Sequence, residues 1–345
     1  MGLWFGGSAG RDEEGSDEMK DGTLSHGPTI SKAEQAGHGS DGRFPLRFNP
    51  LAKALGIELA GVDCSQPLSG DSRRAIAEAL ERHHVLVVRA QQLDDAGLIA
   101  FAESFGEVER NYVRNADGSE MSAVHEVSNL DELGKPNPKP FQNSNFFWHS
   151  DKSYRAVPTF VTILLPMELP PDGGETQFAN LLAAYAALPA DVKRELESLK
   201  VVHSLEHMRT TLDERPLTEE EKRASPPVEH PLVRTHPATG ARSLYLGIYC
   251  ERIVGMSAES SRALLDRLLD HATQPAFVLT HRWRAGDVVA WDNRWLVHRA
   301  LPNFDMQKHR RVMRRVVVKG SVPGRAAEPG GLGSKRAGSS RPGPG

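Results

Sequence analysis

Fourteen histidines are spread through the 345 residues, and only His149, in the run Trp148-His149-Ser150-Asp151, is followed two positions later by a carboxylate. On an extended chain residues i and i+2 project from the same face, so His149 and Asp151 would point together and could grip one cation. Alone the pair is weak, because 45 acidic residues supply about two such pairs by chance. The two cysteines, Cys64 and Cys250, lie too far apart in the sequence to suggest a thiolate site, so a metal here calls for histidine and carboxylate ligands. His298 is the candidate third ligand, since residues 287–293 read as a buried strand and turn that would carry it across a barrel. Two histidines and one carboxylate make the facial triad of non-haem Fe(II) oxygenases, which leaves coordination positions open for substrate-derived ligands and dioxygen. Taken alone, His298 reads first as a partly buried, hydrogen-bonded histidine.

After His298 comes a cationic run, His309-Arg-Arg-Val-Met-Arg-Arg-Val-Val-Val-Lys-Gly320. As a strand it puts Arg311, Met313, Arg315 and Val317 on one face, with the two arginines about 13 Å apart. Arginine pointing into a small barrel is costly without an anion to meet it. A dicarboxylate held by the metal at one end would supply that anion at the other. The alternative is an edge strand whose arginines face water. A second metal pattern, His203-Ser-Leu-Glu206-His207, fits the H-x-x-E-H motif of a zinc peptidase. That chemistry needs a helix that brings both histidines to one face, whereas the preceding Lys-Val-Val predicts a strand entering a loop.

The elements that must position these groups are mostly short strands. Apolar runs are expected as strands near 44–63, 85–90, 160–165, 176–179, 200–203, 243–246, 276–280, 287–291 and 311–319. Helices are expected after an Asp71 or Ser72 cap, after Asp94 or Asp95, and at about 181–198 and 257–272. His83 and His84 introduce a buried strand and read as structural. Trp148 and Trp291 read as core aromatics beside the site. The polar, proline-bearing stretch 110–145 reads as loop, with 129–145 as a candidate lid. Many short strands with helices only as inserts favour a mainly β fold, a sandwich or jelly roll. Residues 1–42 and 321–345 hold 17 of the 31 glycines and are expected to be disordered tails, leaving 43–320 as one domain. With 42 basic and 45 acidic residues there is no global electrostatic case for nucleic acid or for an anionic membrane. Neither a spanning apolar run nor a secretory leader is recognised, so a reduced, cytoplasmic protein is expected, with homo-oligomerisation left open.

Together these pieces resemble the taurine dioxygenase / 2,4-dichlorophenoxyacetate dioxygenase (TauD/TfdA) family of Fe(II)- and 2-oxoglutarate-dependent dioxygenases. The motifs run from about Leu51 to Gly320: LGIELAGVD, HHVLVVRAQ, FAESFGEVE, WHSDKSY, GGETQFAN, HPLVRTHPATGARSLYL, HATQPAFV and WDNRWLVHRA. The resemblance implies a double-stranded β-helix, the cupin-like jelly roll. It implies an oxidoreductase with Fe(II) at His149, Asp151 and His298, and 2-oxoglutarate and O2 as cosubstrates. Thr176 and Arg311 match the groups that hold the distal carboxylate of 2-oxoglutarate; Arg315 matches a second arginine at the substrate side or sharing the cosubstrate, and Asn145 a substrate-pocket position. The expected reaction is hydroxylation of a small anionic substrate, a phenoxyalkanoate-like carboxylate or a sulfonate or sulfate ester, with release of succinate and CO2. Phe146 or Phe147 would form an apolar wall of that pocket. The competing readings are the zinc peptidase and a jelly-roll binding protein without turnover.

Overall fold

The structure is a computed structural model that describes residues 37–40, 45–53, 55–110, 123–138, 143–236, 240–321 and 323. Most of the two expected tails, and residues 139–142 of the expected lid, lie outside these. In chain order the strands and helices are β1 (Gly37–Ser40), β2 (Pro45–Pro50), β3 (Ile57–Ala60), α1 (Gly70–His83), β4 (Val85–Val88), α2 (Asp95–Ala102), β5 (His125–Ser128), β6 (Thr159–Glu168) and β7 (Thr176–Asn180). Next come α3 (Leu181–Ala187), α4 (Ala190–Leu196), β8 (Lys200–His203), α5 (Leu205–Thr211), α6 (Glu219–Ala224), β9 (Val228–Pro231), β10 (Val233–Thr235), β11 (Arg242–Leu244) and β12 (Cys250–Ile253). The chain closes with α7 (Ala258–Ala272), β13 (Val278–His281), β14 (Val288–Asp292), β15 (Leu296–Ala300) and β16 (Val312–Lys319).

Eight strands form the major sheet in the order β1-β2-β3-β4-β14-β6-β16-β5, and β13-β7-β15 form a minor sheet. Apart from the parallel β3–β4 pair, neighbours are antiparallel. The two sheets pack face to face through Val85, Val87, Leu164, Trp291 and Met313 on one side and Phe178, Leu279 and Leu296 on the other. This is the expected jelly roll. The opposite face of the major sheet buries Leu86, Val88, Ile163, Ala290, Val316 and Val318 against Ile76 and Leu80 of α1 and Leu98 and Phe101 of α2. Being covered on both faces explains why β4 and β14 are continuous apolar runs rather than alternating ones.

Several expected boundaries moved. Helix α1 is capped by Ser69, whose hydroxyl accepts from Ser72 N, so Asp71 lies in the first turn where its charge favours the helix dipole. Asp94 caps α2 as expected. The helix foreseen at 181–198 is two, because Pro189 disfavours a helical Leu188 and serves as the N-cap of α4. The stretch read as loop contains β5, an edge strand on β16 whose sequence His-Glu-Val-Ser carries little apolar signal. Among the described residues no helix is long and apolar enough to cross a membrane.

Candidate active site

His149 and His298 face each other across an isolated antiparallel bridge that extends the minor sheet beside β15. His149 N donates to His298 O at 3.0 Å and His298 N to His149 O at 2.8 Å. Close approach from the other side requires Gly247, which has φ +133°; a Cβ there would stand 3.0 Å from Trp148 O and 3.1 Å from His149 Cα. Asp151 lies on the turn that follows. Its amide donates to Asn293 Oδ1 at 3.2 Å, and its Oδ2 accepts from the Thr162 hydroxyl, which in turn accepts from Asn293 Nδ2 at 2.9 Å. The three buried side chains offer donor atoms that all lie within 4.8 Å of one another. His149 Nε2 is 3.7 Å from Asp151 Oδ1, and His298 Nε2 is 3.9 Å from Asp151 Oδ2. Adjacent ligands about 2.1 Å from one ion lie roughly 3 Å apart, so shifts of under about 1 Å would bring these donors onto a divalent cation. His149 Nδ1 lies 2.7 Å from Phe147 O. A carbonyl only accepts, so Nδ1 carries the proton and Nε2 is left with its lone pair for a metal.

Two chambers meet at the triad. The first is lined by Asn129, Asn145, Phe146, Leu164, Thr176, Trp291, Arg311 and Arg315 as well as the triad itself. Arg311, just before β16, is buried. Its Nε donates to Gly174 O at 2.9 Å, its Nη2 reaches Thr176 Oγ1 at 3.4 Å, and its amide is held by Asn129 Oδ1 at 2.7 Å. Gly174 has φ +70°, and a Cβ there would sit 3.2 Å from Arg311 Cδ. Thr176 Oγ1 also accepts from Trp283 Nε1 at 3.0 Å. The second chamber is lined by Lys152, Tyr154, Leu205, Met208, Tyr249 and Val317 among others, and shares Asn145, His149, Asp151 and Arg315 with the first. Phe146 lines the first chamber, whereas Phe147 does not line either one and is partly exposed.

A family model described as "Taurine catabolism dioxygenase TauD, TfdA family" matches residues 47–317. The chain belongs to this family. It is 33% identical over 282 residues to an alpha-ketoglutarate-dependent 2,4-dichlorophenoxyacetate dioxygenase of Cupriavidus pinatubonensis, covering 79% of this chain and 98% of that protein. It is 34% identical over 287 residues to an alpha-ketoglutarate-dependent sulfate ester dioxygenase of Pseudomonas putida, covering 81% and 91%. Among solved structures it resembles AAD-2 in complex with Mn(II) and N-oxalylglycine, with a TM-score of 0.73, 36% identity and coverage of 83% and 100%. The protein is therefore a TauD/TfdA-family Fe(II)- and 2-oxoglutarate-dependent dioxygenase.

The electrostatics suit a TauD/TfdA centre. Burial, reinforced by His149, pushes His298 down to about 3, and burial also lowers His149, so both rings stay neutral and able to ligate. Burial opposes ionisation of Asp151, but His298, Arg315, His149 and the Thr162 hydroxyl outweigh it and hold the carboxyl at about 2. Arg311 is pushed down to about 10 by burial and, among the described residues, has no carboxylate within ion-pair distance. By contrast, the half-buried Arg294 is met by Asp292 through Nε at 3.0 Å and Nη2 at 2.7 Å.

The second metal pattern does not assemble. His203 ends β8, Ser204 caps a helix that the sequence did not signal, and His207 lies in the first turn of α5. His203 is instead buried against Ser153, Cys250, His230 and Tyr245. Among the described residues the His149, Asp151 and His298 group is the cluster able to hold an ion. Trp291 borders the first chamber and donates to Asn293 Oδ1 at 3.2 Å, while Trp148 packs beneath the minor sheet under Arg299. Asn129, Thr162, Asn293 and Tyr249 went unpredicted. Each is a polar or aromatic residue of a common type, whose partners are brought to it by the fold rather than by spacing along the chain.

Proposed function

We propose that His149, Asp151 and His298 hold Fe(II), that Arg311 with Thr176 receives the distal carboxylate of 2-oxoglutarate, and that the second chamber takes a small organic anion. One observation carries the reading: Arg311 is a buried guanidinium without a carboxylate partner among the described residues, in the chamber that ends at the triad. A buried cation of this kind calls for an anionic ligand, and a dicarboxylate reaching from the metal to Arg311 answers that need. Bound Fe(II) would supply the dioxygen chemistry, in which substrate C–H, O2 and 2-oxoglutarate become C–OH, succinate and CO2.

The protein's part is orientation. Arg311 and Thr176 fix one end of the cosubstrate, so that binding energy aligns its other end with the metal. Thr162 holds the Asp151 carboxylate, Asn293 holds Thr162 and the Asp151 amide, and Phe147 O sets the His149 tautomer. Arg315, whose Nη1 is 3.9 Å from Asp151 Oδ1, is placed to attract the anionic group of a substrate, with Asn145 beside it. Tyr154, Tyr249, Met208 and Leu205 offer the apolar body of the second chamber. Relatives named for a phenoxyacetate and for sulfate esters support an organic acid or sulfate ester as the substrate class.

The test is anaerobic addition of Fe(II) and 2-oxoglutarate, followed by phenoxyalkanoates, alkyl sulfates and alkyl sulfonates. A visible metal-to-ligand charge-transfer band should appear, and a true substrate should perturb it and drive equimolar succinate release once O2 is admitted. Turnover confined to neutral or cationic compounds would reject the anion reading.

A further inference from the structure

His203 belongs to neither chamber, yet it contacts the turn that carries Asp151. Residues 150–155 make two tight reversals, with Ser153 N donating to Ser150 O at 3.3 Å and Arg155 N to Lys152 O at 2.9 Å. Between them Lys152 is held at φ +52°, a backbone conformation that side-chain-bearing residues seldom adopt. One flank of this turn is fixed by Asn293, which accepts from Ser150 Oγ at 2.8 Å through its carbonyl and from the Asp151 amide through its side chain. The other flank is fixed by two buried histidines. His203 Nδ1 meets Ser153 Oγ at 3.0 Å, and His230 Nε2 donates to the carbonyls of Ser153 at 3.0 Å and Arg155 at 3.1 Å.

We propose that His203 is a positioning residue for the metal site: through Ser153 it holds the turn that aims the Asp151 carboxylate at His149 and His298. This rests on the triad being the metal site. The placement of His203 fits the role. It is fully buried, its ring is wedged between His230 and Tyr245 at centroid distances of 5.1 and 4.6 Å, and Cys250 Sγ stands 3.7 Å from Nε2. Burial pushes that thiol up to about 12 and lowers His203 well below its usual range, so both stay neutral and the contact remains a fixed hydrogen bond rather than a titrating one. The next residue, Ser204, caps α5, and that helix brings Leu205 and Met208 to the second chamber. One strand end therefore ties the metal-bearing turn to the wall of the proposed substrate chamber.

The test is Mn(II) titration of the metal-free protein by electron paramagnetic resonance, with circular dichroism to confirm folding. Ser153→Ala and His203→Leu are expected to bind Mn(II) about tenfold more weakly than wild type. His203→Asn, whose amide falls where Nδ1 was, should recover to within about twofold, which a purely space-filling role would not produce. Unchanged affinity in folded Ser153→Ala overturns the proposal, as does His203→Asn binding no better than His203→Leu. Should His203→Leu not fold, Ser153→Ala against wild type decides. His149→Ala serves as the control: if it binds Mn(II) as wild type does, the metal-site assignment fails instead.

Discussion

Arg311 is the side chain on which the proposed cosubstrate contact of the first chamber rests. Losing a charge-assisted, two-pronged contact to a carboxylate costs about 2–4 kcal/mol. Arg311→Gln is therefore expected to raise the 2-oxoglutarate KM about 100-fold, measured by succinate formation, with Fe(II) affinity in the absence of 2-oxoglutarate near the wild-type value. A variant with an unchanged cosubstrate KM would remove Arg311 from that role. At this scale the sequence was informative wherever chemistry is local. His149 and Asp151 are neighbours on one face of an extended segment, and Arg311 and Arg315 share a strand parity that the structure reproduces. It was silent on Asn293 and Thr162, which hold Asp151 from 142 and 11 residues away. Polar residues of these types are common, and only the pairing of strands shows which of them are fixed at a site.

The elements decide how tightly those side chains are held. Gly247 lets the chain before β12 pass against the His149 backbone, and Gly247→Ala must either push that backbone away or leave the +133° conformation. The expected result is a loss of about 1–3 kcal/mol of stability, read in urea unfolding, together with weaker metal binding. Helix α1 ends on His84, which takes φ +64° as its C-cap and donates its amide to Leu80 O at 2.7 Å. Burial lowers the His84 ring to about 4, with Asp292 raising it and His83, Arg294 and His236 lowering it further. Between about pH 6.5 and 4 the unfolded chain therefore binds a proton that the folded one refuses, so this residue's contribution is intact above pH 6.5 and is lost as the pH falls through that window. His84→Asn keeps a residue that tolerates the left-handed cap. Relative to wild type it should recover on the order of 3 kcal/mol of the stability lost between pH 7 and 4. An identical pH slope in the two proteins would refute this. The elements themselves were legible where apolar runs were long, as in β4, β14 and β16. They were not where a strand is polar, as in β5, or where a helix is as short as α5.

For the whole molecule, metal and cosubstrate should act as folding ligands, since the triad and Arg311 come together only in the native state. At a concentration 100 times its Kd, a ligand adds about 2.7 kcal/mol. In a protein of this size that is roughly 4–5 °C in Tm. Mn(II) with 2-oxoglutarate, added without oxygen, should therefore raise Tm by several degrees in a scanning fluorescence melt. Arg311→Gln should lose the 2-oxoglutarate increment and keep that of the metal; loss of both would mean that Arg311 supports the fold rather than the ligand. The sequence, through its motifs and the family resemblance they carry, determined the class of chemistry, the ligand types and the jelly roll. Motif spacing and strand periodicity are properties of contiguous residues, and the resemblance added their order along the chain. Only the tertiary structure decided that His203 contacts Ser153 on the turn that carries Asp151, and that Arg311 is buried with no carboxylate partner among the described residues. It also decided that two chambers meet at the triad. His203 and Ser153 lie 50 positions apart and Arg311 and Thr176 135, so nothing local in the chain announces that the fold brings them together.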